Sequence, residues 1–275
     1  MKPSAVLVLA ACLVNPIFSY AGDTPPAQAL TAAEIVEKNV AARGGLEAWQ
    51  KIQTMVWVGH IESAHAPAPN MEFALEMKRP NMTRFEIKVQ NQKSVRIFDG
   101  SHGWKLRPTS SGKPDLQQYT TEELNYARNG PGIDGPLMDY QAKGTDVTLD
   151  GVDDIEGHQT YRLNIKLSSG VSHHVWIDAQ TFLDVKYDRE AINTSGQSVM
   201  VPVFYRNYQA IEGLQVPLMI ETGTGTAQVT DKMAIDKVLI NPQLDNQIFA
   251  KPDVPQRRNV VTVNATATPS SRELK

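Results

Sequence analysis

The chain has 275 residues, of which 41% are hydrophobic and 21% are charged, and it contains nine methionines and one cysteine. Its 27 Lys and Arg stand against 30 Asp and Glu, a formal net charge of -3. This balance provides no positive field for a polyanion, so we expect no nucleic acid partner. One cysteine excludes an internal disulfide framework and any cysteine-rich zinc or iron–sulfur site.

The first residues have the features of an export signal. A positive start is followed by the apolar run Ala5–Val14 and then by small residues up to Ala21. The run is shorter than the ~20 residues that span a bilayer. We therefore predict a signal peptide over residues 1–21, cleaved after Ala21, and a periplasmic protein. The alternative is a lipoprotein anchored through Cys12, because the residues leading to this cysteine match the lipid-attachment pattern.

A linker and two helical segments are predicted next. Residues 22–30 contain two prolines and no periodicity, which indicates a linker. Thr31 and Glu34 have the spacing of a capping box at the start of a helix that ends at Gly44–Gly45. The segment Leu46–Ile52 predicts a second, shorter helical turn.

From Thr54 onward the apolar residues recur with a period of 2, which is typical of half-buried strands. Strands are predicted to begin at Thr54 and to include Met71–Met77, Phe85–Val89, Lys93–Phe98, Gly103–Arg107, Tyr161–Leu167, Ser172–Asp178, Leu183–Arg189, Ser198–Tyr208, Gln215–Glu221 and Met233–Leu239. About ten to eleven short strands without crossover helices predict a mainly β (α+β) fold. We expect a single curved antiparallel sheet or unclosed barrel, with a few helices packed on its concave face.

One helical insertion interrupts these strands. Thr120 is the predicted cap of a helix that ends near Arg128, Asn129–Gly135 indicates a flexible loop, and Pro136–Ala142 predicts another helical turn. We expect the insertion to cover one end or face of the sheet. The polar residues 253–275 predict a disordered or loosely attached tail.

Motifs for catalysis are missing from the sequence. It contains no Gly-x-Ser-x-Gly, no His-Glu-x-x-His, no phosphate-binding loop and no dinucleotide fingerprint. Asp153–Asp154 and Glu122–Glu123 could act as acid and base, but a hairpin and a first helical turn favour solvation and dipole compensation. The six histidines lack the spacing of a ligand set, which favours solvent-facing or turn positions. We predict no catalytic residue, metal or cofactor, and an envelope hydrolase is the least favoured function.

The strands carry large and adaptable apolar side chains. They form either an ordinary sheet core or the lining of a cavity that holds acyl chains. A sheet with few helices leaves part of its apolar face uncovered, so either the sheet folds on itself or something apolar fills the gap. The predicted cavity residues are Met55, Trp57, Phe73, Leu75, Met77, Phe85, Ile87, Tyr161, Leu163 and Ile165.

A series of short motifs resembles the periplasmic lipoprotein-carrier superfamily, the LolA/LolB-like and outer-membrane lipoprotein-sorting-like proteins. The motifs are Arg43-Gly-Gly-Leu46 with Trp49 and Ile52, Phe98-Asp-Gly100 with Gly103-Trp104 and Pro108, Gly157-His-Gln-Thr-Tyr161-Arg-Leu163, Trp176-Ile-Asp178-Ala-Gln-Thr181-Phe-Leu183, and Tyr208 with Gly213-Leu-Gln-Val-Pro217. They cover a domain of residues 31–252. The resemblance implies an unclosed antiparallel barrel with helices plugging the opening, in a carrier that shields acyl chains in transit to the outer membrane.

The sequence therefore predicts a non-enzymatic, monomeric periplasmic carrier or binding protein. Its partner would be a lipid or an acylated protein, held in an apolar cavity of a half-barrel. An envelope regulatory or interaction module on the same fold is the alternative. Such a module would bind an envelope protein at an exposed strand edge or through the tail.

Overall fold

A computed structural model describes residues 30–63, 70–89, 92–192, 198–223 and 229–253. The predicted signal peptide, nearly all of the linker and nearly all of the tail lie outside these residues. Within the described part of the chain, no helix combines the length and the apolar character needed to cross a membrane.

The described residues form three helices, one 3₁₀ turn and thirteen strands. The helices are α1 Ala32–Ala42, α2 Leu46–Gln50 and α3 Thr121–Arg128, and the 3₁₀ turn is Asn246–Phe249. The strands are β1 Thr54–Ser63, β2 Met71–Lys78, β3 Met82–Val89, β4 Gln92–Phe98, β5 Gly103–Arg107, β6 Asp115–Gln118, β7 Asp146–Ile155, β8 His158–Lys166, β9 Ser172–Asp178, β10 Asp184–Ile192, β11 Ser198–Ile211, β12 Leu214–Gly223 and β13 Val229–Ile240.

All of these strands join one antiparallel sheet in the order β6-β5-β4-β3-β2-β1-β13-β12-β11-β10-β9-β8-β7. The first meander runs from β1 at the centre out to β6 at one edge. The chain then crosses to β7 at the opposite edge, and the second meander returns to β13, which pairs with β1. The sheet is unclosed, because β6 and β7 do not pair with each other.

The thirteen strands exceed the predicted ten to eleven, and the two additional strands are the edges. β6 has four residues and one apolar side chain, Leu116. In β7 a bulge between Leu149 and Gly151 breaks the alternation, and Val152 is 51% exposed. Edge strands bury little surface, so their sequences carry a weak apolar period.

The helix starts and the turn after α1 are confirmed. The Thr31 hydroxyl accepts from the Glu34 backbone N–H, while the Glu34 carboxylate accepts from the Thr31 backbone N–H. Thr120 and Glu123 form the same capping box at the start of α3. Gly44 and Gly45 follow α1 with φ values of +113° and +88°, which favour glycine because a Cβ is strained there.

The two faces of the sheet are covered differently. We call the face that carries Met55, Trp57 and Leu75 the inner face, and the opposite one the outer face. Trp49 of α2 and Met138 of the crossover pack against Met55 on the inner face. On the outer face the 3₁₀ turn places Phe249 against Val95 and Ile97 of β4.

The crossover between β6 and β7 differs from its prediction in two places. The segment Pro136–Ala142 consists of turns and bends instead of a helix, and Asp134 of the expected flexible loop is buried. The Asp134 carboxylate accepts from Arg79 at 2.7 Å and from Lys143 at 2.8 Å, and its carbonyl accepts from Arg43 at 2.8 Å. Ion pairs and hydrogen bonds to distant residues thus fix this segment, and a local sequence pattern does not report them.

Candidate ligand-binding site

Two groups of apolar side chains lie side by side on the inner face. We call the first the helix-covered cluster. Its buried members are Trp49, Ile52, Met55, Met77, Ile133, Met138, Leu214 and Val216. Four of these come from α2, the turn after it and the crossover, so segments outside the sheet close this cluster.

The second group, which we call the open cluster, consists of strand residues alone. Its buried members are Ile61, Met71, Phe73 and Ile235, and its partly buried members are Trp57, Leu75, Phe85, Ile87, Leu218, Ile220, Met233 and Val238. No described residue from a helix or from the crossover belongs to it. The open cluster is therefore an apolar surface that is incompletely removed from water.

Strand register explains why these side chains meet. Trp57 of β1 pairs with Leu75 of β2, and Leu75 pairs with Phe85 of β3. Residues directly opposite each other on neighbouring strands point to the same face. The line of partners continues through Arg96 of β4 to Lys105 of β5. We call these five residues the transverse row, and it changes from apolar to cationic between Phe85 and Arg96.

Trp57 contacts both clusters and has an unusual polar atom. Its indole Nε1 is buried and has no hydrogen-bond partner among the described residues. By contrast, Nε1 of Trp49 donates to the Arg43 carbonyl at 2.9 Å. A buried donor without an acceptor costs about 1–3 kcal/mol, so the Trp57 indole marks a place where an external acceptor would be favourable.

Polar residues border the open cluster on the β4–β5 side. The Glu123 carboxylate of α3 accepts from Lys105 at 2.8 and 2.9 Å and from Arg96 at 3.0 Å. Burial alone would raise the pKa of Glu123, but the hydrogen bonds from Lys105 and from the Thr120 N–H, together with Arg96, lower that pKa below its usual range. Glu123 is therefore an anion at neutral pH, and it ties α3 to the inner face.

The structure brings seven of the ten predicted cavity residues together. Met55 and Met77 belong to the helix-covered cluster, and Trp57 and Leu75 contact both clusters. Phe73, Phe85 and Ile87 belong to the open cluster. The remaining three, Tyr161, Leu163 and Ile165, lie on β8, separated from β1 by five strands. Leu163 and Ile165 are fully buried, so Tyr161 is the one residue of the three that offers surface.

The open cluster also contains residues that sequence reasoning missed on β12 and β13. Leu218 and Ile220 continue the alternation of Leu214 and Val216 along β12 from the helix-covered cluster into the open cluster, and this signal was available in the sequence. The pairing of β13 with β1 was not predictable from the sequence, since the two strands are separated by most of the domain. That pairing places Met233 beside Ile61 and completes the cluster.

A separate surface depression of about 520 Å³ lies beside the turn between α1 and α2. Glu47, Lys51 and Glu212 contribute to its lining together with Leu46 and Leu214. Its mixed, charged lining differs from the open cluster, and it shares no residue with it. We therefore place the candidate site at the open cluster.

Five of the six histidines lie among the described residues and have structural partners, whereas His65 lies outside them. His60, His102, His158 and His174 each lie within 3.6 Å of an aspartate. His173 is buried, which corrects the expectation of solvent-facing or turn histidines. Among the described residues, no group of three or more His, Cys, Asp and Glu has an arrangement that could hold a metal ion.

Asp153 has a role beyond solvation on the outer face. Its carboxylate accepts from Arg162 at 3.0 Å and from the Trp176 indole at 2.7 Å. It therefore joins β7 to β8 and β9.

Comparison with solved structures identifies the fold. A LolA superfamily protein from Nitrosomonas europaea is 16% identical with a TM-score of 0.51, covering 81% of this chain and 99% of that one. A domain assigned to outer membrane lipoprotein sorting in Vibrio parahaemolyticus is 11% identical with a TM-score of 0.51, covering 80% and 96%. A DUF1329 family protein from Desulfovibrio piger has the same identity and TM-score, covering 80% and 97%. No protein-family model matches the chain, and no curated protein does. The chain thus has a LolA-like fold.

Proposed function

We propose that this protein is a non-enzymatic periplasmic carrier or binding protein for lipids or acylated proteins, and that acyl chains bind to the open cluster. The observation that carries the proposal is the set of half-buried apolar side chains that continues the covered core along the inner face. Removing such surface from water contributes about 25 cal/mol per Å². Ordering of the ligand offsets part of this gain.

The shared fold supports the same class of function by analogy. One structural neighbour belongs to the LolA superfamily, and another is a domain assigned to outer membrane lipoprotein sorting. A fold hosts many functions, so the analogy adds to the argument from the open cluster and does not replace it.

The Trp57 indole narrows the chemistry of the ligand. Its buried N–H lies within the apolar surface and has no acceptor among the described residues. An ester or amide carbonyl of an acylated ligand would accept from it, whereas a plain hydrocarbon would leave it unpaired. We therefore expect an acyl lipid or acylated protein to bind more tightly than an alkane of equal length.

The proposal includes export and a monomeric state. Cleavage after Ala21 would give a mature protein that begins at Gly22, and anchorage would instead give an acylated Cys12. Both positions lie outside the described residues. Intact-mass measurement of protein recovered from cell envelopes distinguishes the two forms, and light scattering determines whether the protein is a monomer.

Native mass spectrometry tests the proposed ligand. We expect the protein purified without detergent to carry acylated species, and Leu75→Gln to reduce their occupancy several-fold, because it places an amide in the open cluster. Leu239→Gln is the matched control, since Leu239 is exposed on the outer face of β13. Protein that is empty on purification and binds no added phospholipid or acylated peptide would refute the proposal.

Strand β7 favours a second candidate, an envelope regulatory or interaction module. β7 is an edge strand, and its Leu149 and Val152 are exposed, so a partner peptide could add a strand there. Asp146, Asp150 and the bulge at Gly151 oppose such pairing. This candidate predicts a pull-down from envelope extracts that is lost in Val152→Lys and is independent of bound lipid.

A further inference from the structure

The border between apolar and cationic residues in the transverse row points to a further binding group. We propose that Arg96 binds the anionic group of the ligand, a phosphate or a carboxylate, while the acyl chain lies on the open cluster. This inference rests on the proposed function and narrows its ligand to anionic amphiphiles.

The position of Arg96 follows from strand register. Arg96 is the direct cross-strand partner of Phe85, the last apolar member of the transverse row. Neighbouring strands lie about 4.8 Å apart, so three strand spacings place the backbone of Arg96 about 14 Å from that of Trp57. A chain that crosses Trp57, Leu75 and Phe85 therefore reaches the strand position that carries Arg96.

The charges around Arg96 leave a net positive site. Lys105 contacts both oxygens of Glu123, at 2.8 and 2.9 Å, and its side chain is 10% exposed, so this lysine is engaged with α3. Arg96 donates to the same carboxylate at 3.0 Å. Two cations thus share one anion. Farther along the same face, Arg107 pairs in register with Asp115, which adds one charge of each sign.

The Arg96 side chain is accessible to an anion from solvent. Its side chain is 42% exposed, and its guanidinium lies 5.1 Å from the centre of the Tyr119 ring. A guanidinium has five N–H donors in a planar fork that matches a carboxylate or a phosphate. Burial raises the pKa of the Tyr119 phenol, so the ring stays neutral and adds no competing negative charge.

Glycine at position 103 keeps Tyr119 in this place. Gly103 lies on the inner face of β5, and a Cβ there would clash with the Tyr119 ring. The backbone N–H of Tyr119 also donates to the Gly103 carbonyl at 2.8 Å. The ring is therefore held against β5, where it packs against the guanidinium of Arg96, whose backbone pairs with that of Phe85.

Competition binding with three amphiphiles of equal chain length tests the proposal. The full protein is freed of co-purified lipid and loaded with a fluorescent apolar probe. The probe is then displaced by palmitate, by palmitoyl lysophosphatidylglycerol or by neutral monopalmitoylglycerol, each below its aggregation concentration. We expect at least one anionic ligand to bind roughly tenfold more tightly than the neutral one, the range of a charge-assisted hydrogen bond. The two anionic arms distinguish carboxylate from phosphate.

Variants at Arg96 separate charge recognition from folding. Arg96→Gln should abolish the anionic preference and leave the affinity for monopalmitoylglycerol unchanged, whereas Arg96→Lys should retain most of the preference. Lys88→Gln is the control, because Lys88 is on the outer face of β3, its exposure is similar at 47%, and the variant removes the same charge. The preference should also weaken as ionic strength rises.

The outcomes for the two proposals differ. Wild-type protein that binds none of the three amphiphiles would refute the proposed function. Equal binding of anionic and neutral ligands, or an equal loss of both in Arg96→Gln, would overturn the role of Arg96 and leave the open cluster as an uncharged site. Loss of the preference in Lys88→Gln would show that it arises from overall charge.

Discussion

The helix-covered cluster and the open cluster are built on the same strands but differ in what covers them. β1, β2, β12 and β13 contribute apolar side chains to both. Trp49, Ile52, Ile133 and Met138 close the first from outside the sheet, whereas strand residues alone form the second. The same alternating pattern thus produces a core where a distant segment returns to cover it, and an apolar surface where no described segment does.

The largest difference between the clusters should appear on truncation of a leucine. Leu214→Ala removes a side chain that is 1% exposed beneath the helices, and we expect the free energy of unfolding to fall by about 3 kcal/mol. Leu75→Ala, in the open cluster, removes a partly exposed side chain and should cost about 1 kcal/mol. Urea titration of both variants measures these losses. Equal losses would mean that the open cluster is packed like a core.

The next largest effect concerns the segment that covers the first cluster. Asp134→Asn would leave Arg79 and Lys143 without their shared carboxylate, and because both cations are partly exposed we expect a loss of about 2 kcal/mol. Asp139→Asn is the control. Asp139 is more exposed, accepts from Gln50 at 3.0 Å and has a positive φ that asparagine also tolerates, so its change should stay within about 0.5 kcal/mol.

A similar loss in both aspartate variants would show that the ion pairs of Asp134 do not hold the crossover. In that case the apolar contacts of Ile133 and Met138 alone would hold the crossover against the helix-covered cluster.

The sequence predicts the strands of both clusters better than it predicts the boundary between them. The period-2 pattern places Met55 and Trp57 on one face of β1, because alternation along a strand is a local property. Whether such a side chain is covered depends on contacts between residues far apart in the chain, such as that of Asp134 with Arg79, 55 residues away. Local patterns do not contain that information.

The strands that the sequence pattern did not predict were missed for a related physical reason. The edge strands β6 and β7 bury little and therefore lack a strong apolar period. The transverse row was also beyond sequence reasoning, since Arg96 meets Phe85 only through the register of β3 and β4. By contrast, the capping boxes of α1 and α3 were predictable, because their residues are three positions apart.

A smaller and pH-dependent effect should mark the polar border of the open cluster. The folded-state pKa of Glu123 is lowered, so its contribution to stability is present above the unfolded-state pKa and is lost as the pH falls through the folded-state value. Glu123→Gln keeps a side chain that can complete the capping box. We expect it to cost about 1 kcal/mol at pH 7, and the difference from wild type to shrink as the pH falls below the unfolded-state pKa and to vanish once the pH is below the folded-state pKa.

Unfolding measured at several pH values on wild type and Glu123→Gln tests this expectation. Glu72→Gln, on the exposed outer-face pair with Lys88, serves as the control. A difference between wild type and Glu123→Gln that does not change with pH would assign the loss to packing instead of charge.

The last comparison concerns the two tryptophans of the inner face, Trp49 in the helix-covered cluster and Trp57 at the open cluster. Trp49→Phe breaks the indole bond to the Arg43 carbonyl inside the helix-covered cluster, and we expect a loss of about 2 kcal/mol. Trp57→Phe removes a buried N–H that has no partner among the described residues. This offsets the loss of apolar area, so stability should change by less than about 1 kcal/mol. The affinity of Trp57→Phe for an acyl ester should nevertheless fall more than its affinity for an alkane, because only the ester can accept from the indole. An equal fall for both ligands would mean that Trp57 contributes surface alone.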